Sequence, residues 1–239
     1  MISAAALCPA PPLLARELTG GDPVLPELRR ACLDAAAGLL ASVPNVIAVV
    51  GPAAQTQAWD PAARLDLAAY APALRLASRS TADAAPLPMS MSLPLSVGLG
   101  NFLLDEAGYA GERELHTVSE HADAGACAAF GARLAHQACR VALLVMADGS
   151  ARRGLKAPGY LDERSAPFDA TVEQAVRSGD LSALLRLDPA LARELMATGR
   201  PAWQVLAGAV GGSQVASEVR YCDDPFGVAY LVASLKVDD

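Results

Sequence analysis

The chain has 239 residues with 26 acidic and 19 basic side chains, a formal charge of −7, and that length suffices for one large domain with a substantial core. Hydrophobic residues make up 53% and charged ones 19%, and the mean hydropathy is +0.28, which excludes a disordered chain. An acidic, aromatic-poor balance without a basic stripe argues against nucleic acid as the main partner.

Residues 2–7 form a short apolar run stopped by Pro9, Pro11 and Pro12, which reads as a first buried strand rather than a secretory leader, since Arg16 is the first charge. Asp22-Pro23 starts a helical pattern through Leu28, Cys32, Ala36 and Leu40, with Asp22 as cap and Pro23 in the first turn. Residues 46–50 (VIAVV) are β-branched and apolar and turn at Gly51-Pro52, as a central strand of a covered sheet does. Helices follow over 95–104 and 122–138, then a second buried strand over 140–146 that breaks at Asp148-Gly149. Short helical pieces occupy 168–177, 180–187, 188–198 and 201–210, with Asp180 and Asp188 as caps and Gly199 as a stop. Strands over 217–221 and 228–236 close the chain. Such alternation predicts a single α/β domain over 1–239, a mixed central sheet with helices on both faces. The loops at Gly51-Pro52 and Asp148-Gly149 then meet at the carboxyl edge of the sheet, where sites form.

No stretch reaches the ~18 apolar residues of a membrane span, so no membrane partner is expected. The five cysteines (Cys8, Cys32, Cys127, Cys139 and Cys222) lack CxxC spacing, which points to reduced, mostly buried thiols in a cytoplasmic protein. There is no GxxxxGK[ST], HExxH or GxSxG. His116, His121 and His136 do not share one helical face, so a histidine metal site is not expected. Polar residues collect at two strand ends: Gln55, Thr56, Gln57, Trp59 and Asp60, then Asp148, Ser150, Arg152, Arg153, Lys156 and Tyr160. Arg152 and Arg153 suit a carboxylate or phosphate, unless the loop is an ordinary solvated one. Cys8 becomes reactive only beside a cation or helix N-terminus.

The order of motifs resembles the catalytic chains of the class III extradiol ring-cleavage dioxygenases. Pro9-Ala10-Pro11-Pro12-Leu13-Leu14 is similar to that family's PHPPLL, Val50-Gly51-Pro52-Ala53 to its SPH, and Ala147-Asp148-Gly149-Ser150-Ala151-Arg152 to its GDLSHR. The similarity continues through Gly179-Asp180, Leu187-Asp188-Pro189, Ala197-Thr198-Gly199 and the stretch from Asp224-Pro225-Phe226-Gly227 to Ala233. The resemblance implies the same α/β fold, and in the family a ferrous ion held by two His and one Glu with a further His as acid/base. Here the two His positions fall on Ala10 and Ala53, the Glu on Ala197 and the acid/base on Ala151. About one residue in five of this chain is Ala, so four alanines at four such places would arise by chance about twice in a thousand.

The resemblance therefore implies a metal-free, non-catalytic homologue with no cofactor where the family has ferrous iron, its four alanines converging on one cavity. It would bind a small molecule or a protein partner in the former cleft, with Cys8, Gln55, His121, Asp148, Ser150, Arg152, Arg153 and Tyr160 as cleft residues. His121, in Ser119-Glu120-His121-Ala122, matches a family His that contacts substrate. As an oligomer, the chain would be the inactive member of a heteromeric enzyme with an active paralogue, or a homo-oligomer. The competing expectation is an enzyme still, an oxidoreductase acting on an aromatic substrate or another catalyst in the same cleft, with iron held by substitutes among Cys8, Asp148, His121 and Cys222.

Overall fold

The computed structural model describes residues 1–19, 24–67, 70, 92–137 and 139–238; the expected helix start at Asp22-Pro23 and helix end at Ala138 lie outside them. In chain order the elements are β1 (Ile2–Cys8), α1 (Arg16–Thr19), α2 (Pro26–Ala41), β2 (Val46–Ala53), β3 (Gln57–Trp59), β4 (Arg64–Leu65), β5 (Ser92–Leu93), α3 (Leu95–Glu106), β6 (Glu112–Ser119), α4 (Ala124–Ala135), β7 (Val141–Met146), α5 (Ser165–Ser178), a 3₁₀ turn (Leu181–Arg186), α6 (Pro189–Glu194), α7 (Arg200–Val210), β8 (Val215–Asp223) and β9 (Tyr230–Val237).

Seven strands form one mixed sheet in the order β3-β6-β2-β7-β1-β9-β8. β6, β2, β7 and β1 are parallel, and β9, β8 and β3 pair antiparallel to their neighbours. The central strands read as unbroken apolar runs because both faces are covered. Successive side chains of β1 alternate between two cores. Ala5 and Leu7 pack with Cys127, Phe168 and Trp203 of α4, α5 and α7, whereas Ala6 and Cys8 pack with Leu28 of α2 and Leu99 of α3. The fold is thus the expected α/β arrangement with helices on both faces.

Where the structure departs from the sequence expectation, the cause is local. β2 does not turn at Gly51-Pro52 but continues to Ala53. Its pairing with β7 ends at Val50, so Pro52 sits where that side of the strand needs no ladder donor. β6 carries Glu112, Arg113, Glu114 and His116 beside buried Leu115 and Val118, and these polar residues hide its strand signal. The expected helix over 188–198 stops at Glu194, and Met196 takes a left-handed φ of 56° that no helix continues through. Its start is as expected: the Asp188 carboxylate accepts the Ala190 N–H at 2.8 Å. Asp188→Ala should cost about 1 kcal/mol, a drop in Tm of roughly 2–4 °C, measured by thermal denaturation.

Candidate functional site

Parallel β1, β2, β6 and β7 end on one edge, and the turn between α6 and α7, residues 195–199, is drawn up against that edge. The Ala147 N–H donates to the Cys8 carbonyl at 2.8 Å, and the Gly199 N–H to the Asp148 carbonyl at 2.9 Å. The Asp148 carboxylate accepts the Ala10 N–H at 2.8 Å. The Ala151 N–H donates to the Leu195 carbonyl at 3.0 Å. On the β2 side the Glu120 N–H donates to the Ala53 carbonyl at 3.0 Å, and Arg200 donates to the Glu120 carbonyl at 2.7 Å. Ala10, Ala53 and Ala151 are therefore each tied, through one or two hydrogen bonds, to the segment around Ala197.

Beside that turn lies a cavity of about 280 Å³ lined by Ala197, Met196, Thr198, Arg193, Arg200 and His121, among others. Of the four alanines only Ala197 lines it, so the expected convergence of all four on one cavity is not seen here. His121 stands where a ligand in the cavity would meet it. The other expected cleft residues are placed differently. Ser150 is fully buried and gives its hydroxyl to the Asp169 carboxylate at 2.5 Å. Gln55 is exposed, its carbonyl accepting the Thr117 hydroxyl at 2.8 Å. Tyr160 is 61% exposed on a left-handed φ of 60°.

Arg152 and Arg153 engage different partners. Arg152 donates to the Gly159 carbonyl at 2.7 Å and the Glu194 carbonyl at 2.9 Å, with Asp162 at 3.7 Å. Arg153 turns the other way and donates to Asp224 at 2.7 Å. Neighbours on an irregular loop diverge, so two adjacent guanidinium groups end on different partners.

Asp148 is half-buried, and loss of water pushes its carboxyl up to about 6 against the help of the Ala10 N–H. Burial likewise raises Asp169, opposed by Ser150 and Arg153. Cys8 is fully buried, its Sγ 4.0 Å from the Cys32 carbonyl, which removes it from the cleft. Cys222 is pushed up to about 11 by burial and then by Glu173. It lines a different cavity, of about 220 Å³, with Asp169, Glu173 and Trp203.

The alanines at the places where the resemblance would put iron ligands, Ala10, Ala53 and Ala197, do not fit a ferrous ion, because methyl groups offer no lone pair. The substitutes do not fit either: Cys8 is packed in the core below the edge, and His121 and Cys222 line separate cavities. Among the described residues no three His, Cys, Asp or Glu side chains stand as a metal-binding group.

Sequence reading missed Arg193, Arg200, Glu120 and Thr198. One signal was there. Gly199-Arg200-Pro201 opens a helix with a cation, where the helix dipole disfavours one.

No protein family and no curated protein matches the chain. Among solved structures it is similar to the crystal structure of an uncharacterized protein from Escherichia coli K12, at 14% identity and a TM-score of 0.59 over 98% of this chain and 99% of that chain. At that identity the likeness shows the α/β fold alone. No described helix is long and apolar enough to cross a membrane.

Proposed function

We propose that the protein is a metal-free, non-catalytic relative of the class III extradiol dioxygenases that holds a small molecule in the former cleft, in the reducing cytoplasm. One observation supports this reading: the places where the resemblance calls for two His, a Glu and an acid/base His are all alanine, and one of them, Ala197, lines a cavity at the carboxyl edge of the sheet. The frame around them is kept, while the three iron ligands and the acid/base histidine that the resemblance calls for are each replaced by a methyl.

The loops of the same edge expose Leu155, Tyr160, Leu161, Met196 and Phe226, an apolar rim that favours, as a second reading, docking of an active paralogue against this inactive chain.

Anaerobic dialysis of the purified protein against ferrous iron, followed by elemental analysis, tests the main reading. The expected result is far less than one iron per chain and no oxygen uptake with catechols. One tightly held iron per chain overturns it.

A further inference from the structure

Arg200 is 1% exposed and sits in the first turn of α7, where unsatisfied backbone N–H groups already carry partial positive charge. Its guanidinium donates to the carbonyls of Glu120 at 2.7 Å and Ala122 at 2.8 Å, and to the Gln204 side-chain oxygen at 2.8 Å. All three partners are neutral. A buried cation with only neutral partners is costly.

A second arginine makes the imbalance greater. Arg193 lines the same cavity, and its guanidinium has no hydrogen bond or ion pair among the described residues. Burial holds the Arg200 pKa down and the Arg193 charge lowers it further, against opposing contributions from Cys127 and Asp123. Two like charges thus belong to residues lining one space, close enough for the Arg193 charge to act on Arg200, in a chain whose formal charge is −7. Of the lining residues Glu120 alone carries a carboxylate, and Ala192, Met196, Ala197 and Pro201 supply the apolar wall. The ring of His121 and the hydroxyl of Thr198 are also without partners among the described residues.

We propose that this cavity takes the oxyanion of a small, otherwise apolar molecule, a carboxylate or a phosphate monoester, between Arg193 and Arg200, with the body of the ligand against Met196, Ala197 and Pro201. The assignment rests on the reading that the cleft holds a small molecule, and names its chemical class. An anion there neutralises charge that Glu120 alone does not balance, and the buried Arg200 is held in place for it before binding. At about 280 Å³ the cavity is at the small end of ligand sites, which suits one ring and one charged group.

Isothermal titration of the intact protein at low salt, with benzoate, phenyl phosphate, inorganic phosphate and the neutral benzamide, tests this. Benzoate or phenyl phosphate should bind saturably, whichever is tighter naming the oxyanion, and benzamide about tenfold more weakly or worse. Arg193→Gln, at an exposed position, should cost the anion about tenfold and leave benzamide unchanged. Equal affinity for benzoate and benzamide, or an indifferent Arg193→Gln variant, overturns the oxyanion assignment while leaving small-molecule binding in the cleft intact. Inorganic phosphate bound as tightly as phenyl phosphate overturns the apolar body, and no binding by any of the four overturns the whole proposal. Stoichiometric iron uptake, by contrast, is the separate failure of the reading beneath it.

Discussion

Gly131→Ala is expected to destabilise the protein by about 3 kcal/mol or more, lowering Tm by roughly 6–12 °C. A Cβ on Gly131 would stand 2.0 Å from the Val205 carbonyl oxygen and 2.6 Å from the Ala209 nitrogen, both backbone atoms of α7. The contact is reciprocal, since a Cβ on Gly208 would stand 2.2 Å from the Ala128 carbonyl oxygen of α4. Backbone cannot swing aside as a side chain can, so the two helices must separate along their crossing. That separation opens the core in which Cys127, Leu134, Trp203 and Leu206 pack, and it moves the first turn of α7 that carries Arg200. Circular dichroism against temperature measures the effect. Gly212→Ala is the control, because nothing lies within 4 Å of the added methyl. A Gly131→Ala variant melting within a degree of the parent chain would mean that α4 and α7 do not touch backbone to backbone.

The elements that sequence reading placed best are those whose signal comes from burial on both sides. β1, β2 and β7 are apolar at nearly every position because each face of the sheet is covered, and such runs need no knowledge of the tertiary structure to be seen. β6 was missed for the converse reason. It stands next to the short edge strand β3, and six of its eight residues are polar, Glu114 and His116 bonding to each other at 3.1 Å. The site was legible only as a frame. The loops at the carboxyl edge could be foreseen from where strands 46–50 and 140–146 end. Which guanidinium groups face a cavity could not, because that is decided by loop geometry. Arg152 and Arg153, adjacent and conspicuous, are consumed by Gly159, Glu194 and Asp224, whereas Arg193 and Arg200, seven residues apart and in different helices, converge. Only the misfit of a cation at a helix start marked Arg200 in the sequence.

Asp148→Asn is expected to stabilise the protein at pH 7 by about 1–3 kcal/mol, and to remove most of the loss of stability between pH 4 and 6. The Asp148 carboxyl titrates near 6 rather than at its ordinary value of 3.8, because burial penalises its charge more than the Ala10 N–H supports it. A raised carboxyl binds its proton more tightly in the folded chain than in the unfolded one. Between those two values the folded state therefore holds more protons, and stability falls as pH rises, by roughly 1.4 kcal/mol for each pH unit at most. Above 6 both states are ionised and the loss is complete; below 3.8 both are protonated and nothing further changes. Asparagine imitates the protonated form, and its side-chain oxygen can still accept the Ala10 N–H. Asp169, also raised by burial, adds a slope of the same sign, and Asp162 and Asp180, both lowered by hydrogen bonds, contribute only at lower pH. Subtracting the urea-unfolding free energies of variant and parent at each pH isolates Asp148 from all three. A difference curve flat from pH 4 to 7 would mean that water reaches Asp148 through the surrounding loops, and that its charge costs the fold nothing.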